Sequence, residues 1–497
     1  MKKSAIAAMA VFTLLLTGCT AFGNSESARQ AGAFPEIYDQ KIAWGECNDD
    51  FAISESVLIR LAELGTSVDN FACAMVTAPL DWNDAENAET IELATLHIPS
   101  TGSDAALGTL LSNPGGPGHG GISLAYGLTV VPAFAEILEN YDILGFDPRG
   151  MGRSTPLGCE AVSSIGELNL ANCAEEESLA ATMGTSQVAR DMELLRSLMG
   201  DNELNYLGYS YGTMLGATYA TLFPERLGRV VLDSAAPSDW ASPTGAFNQQ
   251  VALVSQTVAL IEGCDTLYQV STCPLEGEDD LLATYLALNE VPLMATDGSE
   301  VTGDSIYGYL ITSLYQRAEA RSLVLHTLGA ALAGEQSKID DIATAMQGGG
   351  ASVQLDGTVV RCHSFPEDPH LLELVEHIEE VGIPVMLGGP EINDETLEQF
   401  IDLTCDALPH SGDDITDSFS GSADAPILVI GITDDHATPY EGSQSLVEEL
   451  GNATLLTLDG TGHGASYGNR STCIDDFTTA FLIEGTMPPT GTVCQDD

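Results

Sequence analysis

The strongest constraint on what this chain can fold into is a strand and helix alternation that runs, breaks off and resumes. The segments IELATLHI (91–98), LGTLLSN (107–113) and YDILGFD (141–147) read as strands. QVARDMELLRSLMG (187–200) places Val188, Met192, Leu195 and Met199 at helical spacing, and ELNYLGY (203–209) returns to strand. YGTMLGATYATLF (211–223) reads as a helix, and RVVLD (229–233), PILVIGI (426–432) and ATLLTL (453–458) as strands, the last of them closing the series. This order predicts an α/β fold: a mostly parallel sheet with helices on both faces and ligand chemistry at the carboxyl ends of its strands. From 240 to 415 the pattern is helical without clear strands, as in VALVSQTVALIEG (251–263) and HLLELVEHIEEVG (370–382). That stretch is expected to be a helical cap inserted into a core made of 41–239 and 416–497.

Charge narrows the function. The chain has 73 Asp and Glu against 16 Lys and Arg, a formal net charge of −57. Binding phosphates requires a basic patch, so nucleic acid is excluded as a partner, and anionic membrane surfaces are disfavoured for the same reason. So many carboxylates fit a surface bathed in salt, where counterions screen self-repulsion.

Residues 1–18 place Lys2 and Lys3 before an apolar run from Ala5 to Leu16, and Leu16-Thr17-Gly18-Cys19 follows. The run is too short to span a bilayer as a mature helix. It looks like a bacterial lipoprotein signal, which implies that Cys19 becomes the lipidated first residue of a protein exported to the outer face of the cytoplasmic membrane. The alternative is an ordinary signal peptide with a chance cysteine. Residues 19–40 are expected to be a flexible tether, and the lipid the sole membrane attachment. Of 11 cysteines, Cys19 aside, an even set remains, which in an exported chain points to disulfides. Pairing sequence neighbours gives Cys47–Cys73, Cys159–Cys173, Cys264–Cys273, Cys362–Cys405 and Cys473–Cys494, although spacing does not determine connectivity. No CxxC or zinc-type His spacing accompanies them, so no metal is expected.

Gly208-Tyr209-Ser210-Tyr211-Gly212 matches G-x-S-x-G, and Gly464-Ala465-Ser466-Tyr467-Gly468 matches it again. Context separates them. Ser210 lies between a predicted strand and a predicted helix, where a nucleophile elbow needs small residues two positions either side, whereas Ser466 follows a loop and reads as a bystander. A serine hydroxyl becomes nucleophilic when a histidine accepts its proton, and a carboxylate must hold that histidine's tautomer. In this fold class the chain order is Ser, acid, His. Asp434-Asp435-His436 follows PILVIGI, and Gly462-His463-Gly464 follows ATLLTL. Asp435 and His463 are therefore the expected partners, with His436 the alternative base. For the oxyanion, the glycine-rich loop 113–121 would supply the N–H of Gly116, and the N–H of Tyr211 would be the second donor. Such a set needs no cofactor.

Asn113-Pro114-Gly115-Gly116-Pro117-Gly118, Phe146-Asp147-Pro148-Arg149-Gly150-Met151-Gly152-Arg153-Ser154, the Ser210 pentapeptide, Asp435 with Ala437-Thr438-Pro439-Tyr440, and Gly462-His463-Gly464 occur in that order. Together they resemble the tripeptidyl aminopeptidase-like α/β-hydrolases, exported actinobacterial serine exopeptidases related to proline iminopeptidases. The likeness spans about 44–494 and includes Trp44, Cys47, Cys73 with Ala78 to Trp82, Cys473 and Cys494. It implies an α/β-hydrolase fold, with Ser210 as nucleophile, Asp435 as acid and His463 as base. Family members usually show Asp-Pro where this chain has Asp435-His436. Relatives often carry an acidic residue after a cap cysteine, where this chain has Cys362-His363-Ser364.

The expected function is that of a surface-anchored serine exopeptidase that releases short peptides from free N-termini through an acyl-enzyme. A cap carboxylate would pair with the substrate ammonium, the candidates being Glu262, Asp265, Glu367 and Asp368. A carboxylesterase with the same three residues is the alternative; a non-catalytic peptide-binding lipoprotein is the alternative from another class. With an ordinary imidazole as base, activity should fall below about pH 6 to 6.5.

Overall fold

The computed structural model describes residues 25–497 except 48–50, 52, 65–66, 104–105, 160–165, 241, 348–351, 365–370, 399, 401–404, 406–407, 409–417 and 423–424. The lipobox and Cys19 therefore lie outside the described residues.

Eleven strands are present among the described residues: β1 (Ala72–Pro79), β2 (Thr90–Ile98), β3 (Thr109–Asn113), β4 (Asp142–Phe146), β5 (Leu204–Tyr209), β6 (Leu227–Asp233), β7 (Leu293–Met294), β8 (Glu300–Val301), β9 (Ile427–Asp434), β10 (Ala453–Thr461) and β11 (Val493–Gln495). Nine of them form one sheet in the order β1-β2-β4-β3-β5-β6-β9-β10-β11. β2 runs antiparallel to both β1 and β4, and every later pairing is parallel. The central strands are buried on both faces because helices cover both; β3 is buried at all five positions. Leu111, Tyr206, Val230 and Val429 pack on one side of the sheet, and Leu110, Leu207, Val231 and Leu428 on the other.

Sequence patterning missed the two edges. β1 alternates irregularly, and β11 is only three residues long, so ATLLTL is the penultimate strand rather than the last. Cys494 of β11 is disulfide-bonded to Cys473 at the start of the helix Thr472–Glu484, which fixes that short edge to the body. The other disulfides also join sequence neighbours: Cys47–Cys73, Cys159–Cys173, Cys264–Cys273 and Cys362–Cys405.

Between β6 and β9 the described chain is helical apart from the small β7–β8 hairpin. It carries apolar clusters of its own. Leu260, Leu310, Leu325, Leu328 and Ile342 form one, and Phe247, Leu374, Ile378 and Phe400 another.

The flexible tether expected over 19–40 needs correction from Ser25 onward. Glu26–Ala33 and Pro35–Tyr38 are helices. Ser25 caps the first through its side chain, which accepts from the amide of Ala28 at 3.3 Å. Ser27 donates to the Glu193 carboxylate at 2.6 Å and Gln30 donates to the Arg190 carbonyl at 2.9 Å, both on the core helix Thr185–Met199. Phe34 meets Trp82 edge to face at 5.0 Å. The Ala, Gly and polar composition concealed these contacts, because the two hydrogen bonds reach residues 166 and 160 positions away and Trp82 also lies far along the chain. Among the described residues no single helix is long and apolar enough to cross a membrane.

Candidate active site

Ser210 stands between β5 and the helix Tyr211–Leu222 with φ 56° and ψ −128°, a left-handed backbone that a non-glycine residue adopts only under strain. Its N–H donates to the carbonyl of Asp233 at 2.9 Å, which fastens the turn to the neighbouring strand end. The turn closes only over glycine. A Cβ on Gly212 would lie 2.8 Å from the carbonyl oxygen of Asn113, and one on Gly115 would lie 2.8 Å from the Ser210 Cβ. Loop 113–118 is thereby pressed against the serine. The Gly115 N–H turns back onto the Asn113 side chain at 2.8 Å, which makes Gly116, at φ 113°, the next amide along. Tyr211 N, 3.0 Å from the same built Cβ, opens the helix whose positive end faces this loop.

His463, in the loop after β10, places Nδ1 2.9 and 3.0 Å from the two oxygens of Asp435. Asp435 is buried, and its carboxylate also accepts from the amides of Ala437 at 2.9 Å and Thr438 at 3.0 Å and from the Thr438 hydroxyl at 3.1 Å. Burial raises the Asp435 carboxyl, but the imidazole and these donors outweigh it and hold the group below its ordinary value. Burial likewise lowers the His463 imidazole, yet the Asp435 charge and hydrogen bond, helped by Asp233, hold it above the ordinary histidine value. Asp434 is exposed at the end of β9. Among the described residues no hydrogen bond within 3.5 Å joins the Ser210 hydroxyl to His463; in unliganded hydrolases this bond commonly tightens only with substrate.

His436 is differently placed. Its ring is fully buried, neither nitrogen has a hydrogen-bond partner among the described residues, and burial lowers its value to about 4. Tyr315, from the insertion, meets it edge to face at 4.3 Å and also meets His463 at 5.7 Å.

Residues that sequence patterning passed over hold this constellation in place. The Asp233 carboxylate, buried at the end of β6, accepts from the amides of Ala465 at 3.0 Å and Ser466 at 2.6 Å and from the Ser466 hydroxyl at 2.5 Å. Ser234, also at positive φ, accepts from the Gly464 amide at 2.8 Å, and its carbonyl accepts from the Thr438 hydroxyl at 2.9 Å. One strand end thus braces both the acid loop and the histidine loop. The usable signal was an acidic residue at the carboxyl end of a buried strand. The insertion adds two clamps: Gln249 donates to the Ala437 carbonyl at 2.5 Å, and Arg321 to the Thr461 hydroxyl at 2.7 Å.

The FDPRGMGRS motif lies outside this cluster and is a brace. Asp147 accepts from the amides of Ile122 at 3.2 Å and Arg153 at 2.9 Å, securing the helix Gly121–Leu128 that follows the glycine-rich loop. Arg149 is fully buried and donates to both oxygens of Asp191, at 2.7 and 2.8 Å, and to the carbonyls of Leu80 and Thr182. Of the expected ammonium-binding carboxylates, Glu262 and Asp265 are exposed, and Glu367 and Asp368 lie outside the described residues.

A buried carboxylate paired with a partly buried imidazole beside a strained serine at a strand-to-helix turn can support acyl transfer. Residues 390–494 match the family described as TAP-like protein, and residues 108–259 match the alpha/beta hydrolase fold family. The chain is 28% identical over 540 residues to serine protease Hip1 of Mycobacterium tuberculosis, covering 98% of this chain and 96% of that protein. It is 26% identical over 497 residues to tripeptidyl aminopeptidase of Streptomyces lividans, covering 91% and 86%. It is 28% identical over 528 residues to carboxylesterase B of Mycobacterium tuberculosis, covering 96% and 94%. With the sheet order and the Asp435–His463 pair, these likenesses make the chain a serine hydrolase of α/β-hydrolase fold that is similar to the TAP-like proteins.

Proposed function

We propose that the protein is an exported serine exopeptidase that cleaves short peptides from free N-termini. Ser210 attacks the carbonyl carbon while His463 takes its proton, Asp435 stabilises the resulting imidazolium, and the N–H groups of Gly116 and Tyr211 receive the oxyanion. His463 then protonates the leaving amine, and water hydrolyses the acyl-enzyme by the same route. The observation that carries this reading is the pairing of buried Asp435 with His463, held by β6 and β9 beside the Ser210 turn. Likeness to a tripeptidyl aminopeptidase favours peptides as substrates. Likeness to carboxylesterase B favours a second reading, ester hydrolysis by the same residues. Purified protein should release chromophore from unblocked di- and tripeptidyl amides, faster than from their N-acetylated forms or from nitrophenyl esters. Ser210→Ala should abolish turnover. Higher kcat/KM on the esters would favour the second reading.

The lipobox supports lipid anchoring through Cys19 at the outer face of the cytoplasmic membrane. Cys19→Ser should release the protein into the medium; retention in the membrane fraction would sink this part of the proposal.

A further inference from the structure

The helix Gly303–Leu314 of the insertion ends against the histidine loop, with Tyr315 as its C-cap. Arg321 is buried and donates to the carbonyls of Leu314 at 2.7 Å and Gln316 at 2.9 Å, which flank Tyr315, and to the Thr461 hydroxyl of β10 at 2.7 Å. One guanidinium thus satisfies carbonyls that the helix end leaves open and ties them to the core. Gly462, just before His463, lets the two segments close up. A Cβ there would lie 3.1 Å from Arg321 Nη2 and 3.4 Å from the Leu314 carbonyl oxygen.

Tyr315 is therefore fixed at the backbone on both sides, and its ring meets His436 at 4.3 Å and His463 at 5.7 Å between centroids. Of the two rings that meet His463 among the described residues, His436 is fully buried whereas Tyr315 is 55% exposed. An exposed aromatic alone signals nothing. This one is immobilised against the general acid. His463 holds Asp435 through Nδ1, which leaves Nε2 to protonate the leaving amine, so the departing group must come up beside that ring. We infer that Tyr315 forms the leaving-group subsite: its ring receives the side chain of the first residue released and selects apolar and aromatic residues there. The inference rests on the acyl transfer through Ser210 and His463 proposed above, and is independent of what the acyl side of the substrate carries.

The same subsite receives an attacking amine when the acylation step runs in reverse. An added amino-acid amide, as the free amine, attacks the carbonyl carbon of the acyl-Ser210 ester. A C–N bond forms, His463 takes a proton from the nitrogen, and that proton passes to Ser210 Oγ as the C–O bond breaks. Water competes for the same ester, so the ratio of transfer to hydrolysis reads occupancy of the subsite.

A nitrophenyl ester of fixed acyl part is turned over by wild type, Tyr315→Ala and Tyr315→Phe with phenylalanine amide or glycine amide added, and the products are separated by chromatography. Each ratio is internal to one protein, so the folded fraction cancels. Wild type and Tyr315→Phe should favour phenylalanine amide by about tenfold, the contribution of one aromatic ring against another. Tyr315→Ala should bring the preference close to one. No preference in wild type, or one that survives Tyr315→Ala, would overturn the assignment, as would hydrolysis alone with either amide. Loss of the preference in Tyr315→Phe would overturn it too, by moving recognition to the hydroxyl. The preference should be the same with an unblocked and an N-acetylated acyl part. Indifference to a free N-terminus in overall turnover would thus defeat the exopeptidase reading and leave this inference standing, whereas persistent turnover by Ser210→Ala would defeat both.

Discussion

The Ser466 hydroxyl donates to the Asp233 carboxylate at 2.5 Å, across 233 positions of sequence. The second G-x-S-x-G match thus marks a fastening of the histidine loop to the end of β6, and its serine is committed to a buried acid. Ser466→Ala should cost about 1.5 to 3 kcal/mol of stability, the usual worth of a hydrogen bond to a charged group. It should leave fluorophosphonate labelling of folded protein intact, whereas Ser210→Ala should abolish it. Urea unfolding and a gel-based labelling assay check both. Persistent labelling of Ser210→Ala would move the nucleophile elsewhere.

The raised His463 value sets the direction of the pH profile. A protonated imidazole cannot accept the Ser210 proton, and here the protonated form persists to higher pH than in an ordinary histidine. The acid limb of kcat/KM should therefore lie above about pH 6.5 rather than at 6 to 6.5. In Asp435→Asn the opposing charge is gone and burial prevails, so the limb should move to lower pH while kcat falls by about 10⁴-fold. A wild-type limb at pH 5.5 would contradict the coupling.

His436 makes a separate contribution to acid sensitivity. Its folded value, lowered to about 4, lies beneath that of an exposed ring, so the unfolded chain binds the extra proton between those limits. Stability should accordingly drop by about 3 kcal/mol as pH falls from about 6.5 to 4 on this account alone. His436→Phe keeps an aromatic ring beside Tyr315 and should flatten that part of the curve relative to wild type. Parallel curves for the two proteins would disprove the contribution.

Arg149 and Asp191 are both fully buried. Removing one partner strands the other charge, so Arg149→Ala should lower stability by about 3 to 5 kcal/mol. In whatever fraction folds, kcat should stay within severalfold of wild type, since neither group reaches the serine. A specific loss of kcat in stably folded protein would give the motif a role in chemistry.

The docked N-terminal helices predict that Ser27→Ala weakens the body. It removes a 2.6 Å hydrogen bond to buried Glu193, a carboxylate otherwise held by Arg196 and Tyr219. A loss of about 1 to 3 kcal/mol is expected in thermal or urea unfolding. No change would mean that the helices merely rest on the surface.

The parts of the site legible in the sequence were those written locally. A strand, a tight turn and a helix around Ser210 lie within a few residues of one another, and glycine spacing exposes the turn. Asp435 and His463 were legible because chain order in this fold class is set by topology. Asp233, Ser234, Tyr315 and Arg321 were not, since each acts through partners more than 100 positions away, and no local pattern marks such pairings.

The docking of Glu26–Ala33 on the core also sets the length of the leash. With the lipid on Cys19 as proposed, six residues lead from the anchor to Ser25. Even fully stretched they reach about 20 Å, which is less than the radius of gyration of about 23 Å for a body of this size. Such an enzyme grazes the bilayer instead of sweeping the space above it.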